Sequence, residues 1–95
     1  MTLRSLALAA LILAAAGPAQ ACFVDYKAKQ DDPLRLHYGV AEVSDADCGS
    51  KKQAAKALAP RLKADGWKLL NILSIFGPEG LDQRRDSAGP YFLRY

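Results

Sequence analysis

Residues Ser50–Phe76 read SKKQAAKALAPRLKADGWKLLNILSIF, and this stretch decides the fold. Ser50 with Gln53 three residues on is a capping box: the hydroxyl accepts from the Gln53 amide at a helix start. Ala54, Ala55, Leu58, Ala59 and Leu62 then recur at helical spacing, with Lys52, Lys56 and Lys63 elsewhere on the cylinder. Gly66 suits the left-handed residue that ends a helix, which would lay Trp67 against Leu62 in a Schellman motif. Pro60 removes one amide donor and crowds the preceding turn. It either kinks the helix or ends it near Ala59. Because the apolar stripe runs on to Leu62, one kinked helix is the expectation.

Trp67–Phe76 follows as the most apolar strand in the chain. Trp67, Leu69, Leu73 and Ile75 lie on one face, and Leu70, Ile72 and Phe76 on the other. Two greasy faces suggest a central strand, covered by the helix on one side and by a neighbour or partner on the other.

Outward from this unit, Cys22–Lys29 alternates as a strand, with Cys22, Val24, Tyr26 and Ala28 sharing a face. Gln30-Asp31-Asp32-Pro33 is a turn. Leu34, Leu36, Tyr38 and Val40 then line one face of a second strand, opposite Arg35 and His37, in a hairpin that sets Cys22 across from the region of Glu42. Ser44–Gly49 leads into the helix; Asp45 and Asp47 fall short of a calcium loop and suit the helix N-terminus instead. After the apolar strand, Gly77–Pro90 reads as a long connection, and Tyr91–Tyr95 as a closing strand. The expected fold is α+β, about four antiparallel strands in the order β-β-α-β-β with one helix packed on one face.

The chain of 95 residues begins with Arg4, an apolar run from Leu6 to Ala16, a Gly17-Pro18 break and Ala19-Gln20-Ala21. This is the layout of a bacterial secretory signal with an A-x-A cleavage site, and the run is too short to span a bilayer. Residues 1–21 are therefore expected to be removed, leaving 22–95 as one small periplasmic or secreted domain. A cysteine directly after the cleavage site also raises lipid attachment, but the preceding residues lack the Leu of a lipobox. The two cysteines, Cys22 and Cys48, read instead as a disulfide in an oxidising compartment, adding about 3.5 kcal/mol to stability in the loop-entropy account.

The succession of a helix, Ala64-Asp65-Gly66-Trp67-Lys68-Leu69-Leu70, a strand, a loop and Tyr91-Phe92-Leu93-Arg94-Tyr95 resembles a family of small uncharacterised bacterial domains. Val24-Asp25-Tyr26-Lys27-Ala28-Lys29 is similar to that family's first strand. The resemblance implies a small antiparallel sheet crossed by a helix and carries no assigned activity. The export signal, the strand Leu34–Val43 and the two cysteines depart from the pattern.

No catalytic set is legible. His37 is the single histidine and reads as an exposed or cross-strand residue, without the Gly-x-Ser-x-Gly context of a hydrolase. The cysteines are not a C-x-x-C pair. No phosphate loop, dinucleotide fingerprint or metal-ligand cluster appears, so neither cofactor nor metal is expected. Basic and acidic residues are interspersed, which argues against nucleic acid as partner. Arg84 and Arg85, flanked by Asp82 and Asp86, are the candidate binding pair, since two guanidinium forks suit a carboxylate or phosphate. Tyr26, Tyr38, Tyr91 and Tyr95 can cluster if the terminal segments face one another. The functional expectation is a non-enzymatic module contacting an unidentified protein or small anionic ligand, through Gly77–Pro90 or a sheet edge. The alternatives are a structural homo-oligomer, a dimer for example, assembled through the sheet, and, less favoured, a minor hydrolase using His37.

Overall fold

The computed structural model describes residues 21–95; residues 1–20, which carry most of the expected export signal, lie outside the described residues. Three antiparallel strands, β1 (Ala21–Gln30), β2 (Arg35–Ser44) and β3 (Lys68–Phe76), form one sheet in the order β2-β1-β3. Two helices cover its faces, α1 (Lys51–Lys63) on one and the short α2 (Asp82–Ala88) on the other. The class is α+β, with three strands and two helices where sequence predicted about four strands and one helix.

The local signals around α1 hold. Ser50 Oγ accepts from the Gln53 amide at 3.1 Å. At the other end the Gly66 amide donates to Lys63 O and the Trp67 amide to Leu62 O, each at 3.0 Å, with Gly66 at φ 82°. That is the paired hydrogen bonding of a Schellman ending. Pro60 sits inside a continuous helix, as the unbroken apolar stripe requires.

β1 and α1 build the larger core. Val24, Tyr26 and Ala28 of β1, Ala41 and Val43 of β2 and Ile72 of β3 meet Ala54, Leu58 and Leu62 of α1, with Trp67 closing the end. Ala28, Ala41 and Ala54 are small enough to let the helix sit close, and Leu58 and Leu62 are fully buried, each stabilising the fold by about 2 kcal/mol. Cys22 and Cys48 are disulfide-bonded with Cα atoms 6.0 Å apart, fastening the start of β1 to the approach to α1. Such a bond is compatible with an extracytoplasmic, oxidising location.

Three expectations need correction. β3 is an edge strand, not the central one: β1 lies between its neighbours. β3 is apolar on both faces because a helix covers each, with Leu69, Ile72 and Ile75 packed in the α1 core and Phe76 in the α2 core. Its pairing with β1 is broken by two register shifts, which leave Leu70 and Leu73 as extra residues. Second, Gly77–Pro90 is not an open loop. It holds a 3-10 turn at Pro78–Gly80, then α2, whose Ala88 is buried against Phe23 and Val40. Third, Tyr91–Tyr95 forms no strand. Gly89–Tyr91 is a 3-10 turn, Phe92 alone bridges Val40 in parallel, and Leu93 turns back at φ 57° while its amide donates to Val40 O at 2.8 Å. A left-handed leucine costs about 1–2 kcal/mol, which the packing of the aromatic tail offsets. The tail thereby straddles the outer edge of β2, with Tyr91 and Tyr95 on the α1 side and Phe92 on the α2 side.

Candidate functional site

The hairpin register pairs Cys22 with Val43, Tyr26 with Gly39, Ala28 with His37 and Lys27 with Tyr38. Period-two alternation then puts His37 on the α1 face, and Asp25, Lys27 and Tyr38 on the α2 face. From these placements come three polar constellations.

The first surrounds His37, which is buried rather than exposed. Its Nε2 shares a hydrogen bond with Tyr26 Oη at 2.9 Å. The Tyr91 ring stacks on the imidazole at 3.7 Å between centroids, Trp67 meets it edge-on at 4.2 Å, and Tyr95 lies 6.1 Å away. Nδ1 has no hydrogen-bond partner among the described residues. Burial, with the nearby Arg94 charge, lowers the His37 pKa below its ordinary 6.5, so the ring is neutral near pH 7. Burial also raises Tyr26, and the neighbouring Tyr95 and Tyr91 add to that. Gly39 makes the arrangement possible: a Cβ there would stand 2.6 Å from Tyr26 Cζ. Tyr26, Tyr91 and Tyr95 do cluster, while Tyr38 points to the opposite face. The His37 ring is enclosed by aromatic side chains, and among the described residues its hydrogen-bond partner is Tyr26 and not a serine.

The second is centred on Asp25, a carboxylate in the middle of the central strand with 7% of its surface exposed. Ser74 Oγ donates to Oδ1 at 2.5 Å, and Tyr38 Oη and Arg84 Nε donate to Oδ2 at 2.8 and 3.1 Å. Burial alone would raise the Asp25 pKa, but the hydrogen bonds from Ser74, Tyr38 and Arg84 and the Arg84 charge outweigh it and hold the carboxyl below its ordinary value. Tyr38 is pushed up to about 12 by burial and by Asp25. Arg84 lies 3.9 Å over the Phe76 ring and donates through Nη1 to Gly80 O at 2.8 Å. Its guanidinium thus has three partners: Asp25, Gly80 O and the Phe76 ring.

Arg85 diverges from it. It lies over Phe92 at 4.5 Å, reaches Asp82 at 3.3 Å, and keeps 57% of its side chain exposed. The two arginines therefore do not converge as one fork; Arg85 is the one that faces solvent. A sequence signal for the Asp25–Arg84 clasp existed: one acid between Val24 and Tyr26 in a buried strand requires a cationic or multiply donating partner. Asp45 and Asp47 form a short 3-10 turn in which Ser44 Oγ donates to Asp47 at 2.9 Å. Among the described residues no group of three or more His, Cys, Asp or Glu is placed to hold a metal ion.

The third is the half of the α2 face that α2 does not reach. Seven residues of helix cover Phe23, Val40 and Phe76, but toward the hairpin end the sheet is open. There Lys27, Leu36, His37, Tyr38 and Leu70 line a shallow groove of about 240 Å³. Leu36 is 67% and Leu70 46% exposed. Leu70 is one of the two extra residues of β3, and a bulge of this kind re-aims a side chain out of the regular pleat. Sequence reading placed Leu36 and Tyr38 on one face correctly. It missed the groove because nothing in the order of residues reveals where a short helix stops covering a sheet.

No protein-family model matches the chain, and no curated protein or solved structure matches it. Among the described residues no helix is long and apolar enough to cross a membrane.

Proposed function

We propose that this protein is an exported, non-enzymatic interaction module whose working surface is the open half of the α2 face, at Lys27, Leu36, Tyr38 and Leu70. The observation that carries this reading is the exposure of Leu36 and Leu70 around Lys27 on the half of the α2 face that α2 does not cover. Apolar side chains scattered singly on a surface need no explanation, whereas two exposed leucines that flank Lys27 in one groove support a contact site there. The export reading rests on the order of charged, apolar and small residues in 1–21 and agrees with the disulfide. The non-enzymatic reading is supported by the engagement of the buried carboxylate and the histidine: Asp25 is held by three internal donors, and His37 is enclosed by aromatic rings.

Lysine acetylation footprinting tests the surface without presuming what binds it. In a cell-envelope fraction, Lys27 should lose reactivity relative to buffer, while Lys51, Lys52 and Lys56 on α1 should not. Equal reactivity of Lys27 in both settings, or protection confined to α1, overturns the assignment. Sedimentation of the purified protein separates self-association through the same face from contact with another molecule.

A further inference from the structure

We infer that the partner of the open sheet face is an anionic bilayer surface, engaged by leucines at the hairpin end with basic side chains around them; this rests on the assignment of that face as the working surface. Four large apolar side chains are exposed among the described residues: Leu34 at 66%, Leu36 at 67%, Leu70 at 46% and Leu93 at 43%. Three of the four gather at one end of the molecule. Leu36 and Leu70 line the same groove from either side of β1, and Leu34 lies two residues before Leu36, at the exit of the turn that joins β1 to β2.

Charge is distributed to match. Lys27 and Lys29 on the hairpin and Lys68 at the start of β3 stand on the side of the leucines, Arg35 stands at the same end on the other side of β2, and Asp31 and Asp32 are the acids of the turn; Lys29 lies 3.4 Å from Asp31 and offsets one of them. Four basic against two acidic side chains give an excess of +2. Residues 21–95 as a whole carry twelve basic and ten acidic side chains, a net charge of the same sign. A cationic rim around protruding apolar groups is complementary to anionic headgroups over hydrocarbon. Lys and Arg stems can lie along the acyl boundary while their charges reach phosphate.

Exposure favours a bilayer over a protein. Leu34 and Leu36 stand about two-thirds exposed beside the turn that joins β1 to β2, and the adjoining groove is shallow. A protein partner would have to supply a fitted pocket for each, whereas a bilayer interface accepts a protruding apolar group of any outline. Attachment of this kind is reversible and salt-sensitive, since a few leucines bury little area and the rest is Coulombic.

The experiment is co-sedimentation of the protein, purified as the cell processes it, with vesicles of phosphatidylcholine alone or mixed with phosphatidylglycerol. Partition should be at least about tenfold greater onto the mixed vesicles and should fall as salt is raised. Leu34→Ser with Leu36→Ser should weaken it by about tenfold, as should Lys27→Gln with Lys68→Gln. All four positions are solvent-facing, and retention of the far-ultraviolet dichroism and of the thermal midpoint shows that the fold is kept. Equal partition onto both kinds of vesicle, or indifference to the leucine changes, overturns the inference. If vesicles fail while protection of Lys27 in the envelope fraction persists and is abolished by prior protease treatment, the partner is a protein: the lipid assignment falls and the interaction surface stands. If Lys27 is not protected at all, both fall.

Discussion

The two faces of this sheet are held down by different physics. On one, a helix of thirteen residues lays Ala54, Leu58 and Leu62 onto Val24, Ala28 and Ala41, and hydrocarbon contact with a disulfide at the entrance does the work. On the other, a helix of seven residues contributes a single buried alanine, Ala88, and is fastened through Arg84 to a carboxylate in the strand beneath. A short helix cannot bury enough apolar area to hold itself in place, so an ionic clasp substitutes for the missing hydrocarbon. The lesson is that helix length decides what kind of residue must stand under it. Asp25 is tolerable at the centre of the sheet because α2 is short, and the leucines beyond it are uncovered for the same reason.

That contrast can be broken at several points. The largest effect is expected at the α1 entrance: Cys22→Ser with Cys48→Ser should lower stability by about 3.5 kcal/mol, read as a shift of the denaturant midpoint. Asp25→Ala should cost about 3 kcal/mol by leaving Arg84 without its partner in a mostly buried site. Here the readout should be local: amides of α2 should lose hydrogen-exchange protection before those of α1. Asp25→Leu with Arg84→Met should cost less than Asp25→Ala alone, because no unpaired charge then remains. If the single and double changes cost the same, the clasp is not what fastens α2. Gly66→Ala should cost about 1 kcal/mol by forcing a side chain into the left-handed region at the Schellman ending, with thermal unfolding as the measure.

The smallest effect is in the pH profile. His37 has a folded-state pKa below 6.5, so the unfolded chain takes up the proton more readily. Stability should be full above about pH 6.5 and decline as pH falls through that value toward the folded-state pKa. His37→Phe should flatten this slope. Asp25, held below its ordinary 3.8, contributes stability that is lost only in a more acid range, as pH falls through its folded-state pKa, so the two are separable in one titration of stability.

What sequence made legible was what depends on near neighbours. The Ser50 cap, the Gly66-Trp67 ending and the unbroken helix through Pro60 follow from bonds spanning a few residues. The disulfide follows from two cysteines and a strand geometry that brings them close. The hairpin was off by one position: the turn spans four residues, Asp31–Leu34, so Cys22 faces Val43 and not Glu42. Alternation places His37 opposite Leu36 and Tyr38, and of the two expected settings, exposed or cross-strand, the structure has the cross-strand one, buried beside Tyr26. Gly39 and Ala41, on His37's side of the strand, were the overlooked signal that this side packs closely. β3 was misjudged because two apolar faces fit a middle strand and a doubly covered edge equally well, and only the distant α2 distinguishes them. The clasp between Asp25 and Arg84 joins residues 59 apart, and no local rule reports a contact at that range.

The margins of the sheet carry one last implication. Along β2 the outer side is stapled by Phe92 and Leu93, and along β3 the regular spacing of amide and carbonyl groups is interrupted at Leu70 and Leu73. Neither margin offers a foreign chain a long, even ladder on which to grow. Crowded copies of the folded molecule thus lack a ready seed for fibrils as long as the tail remains in place.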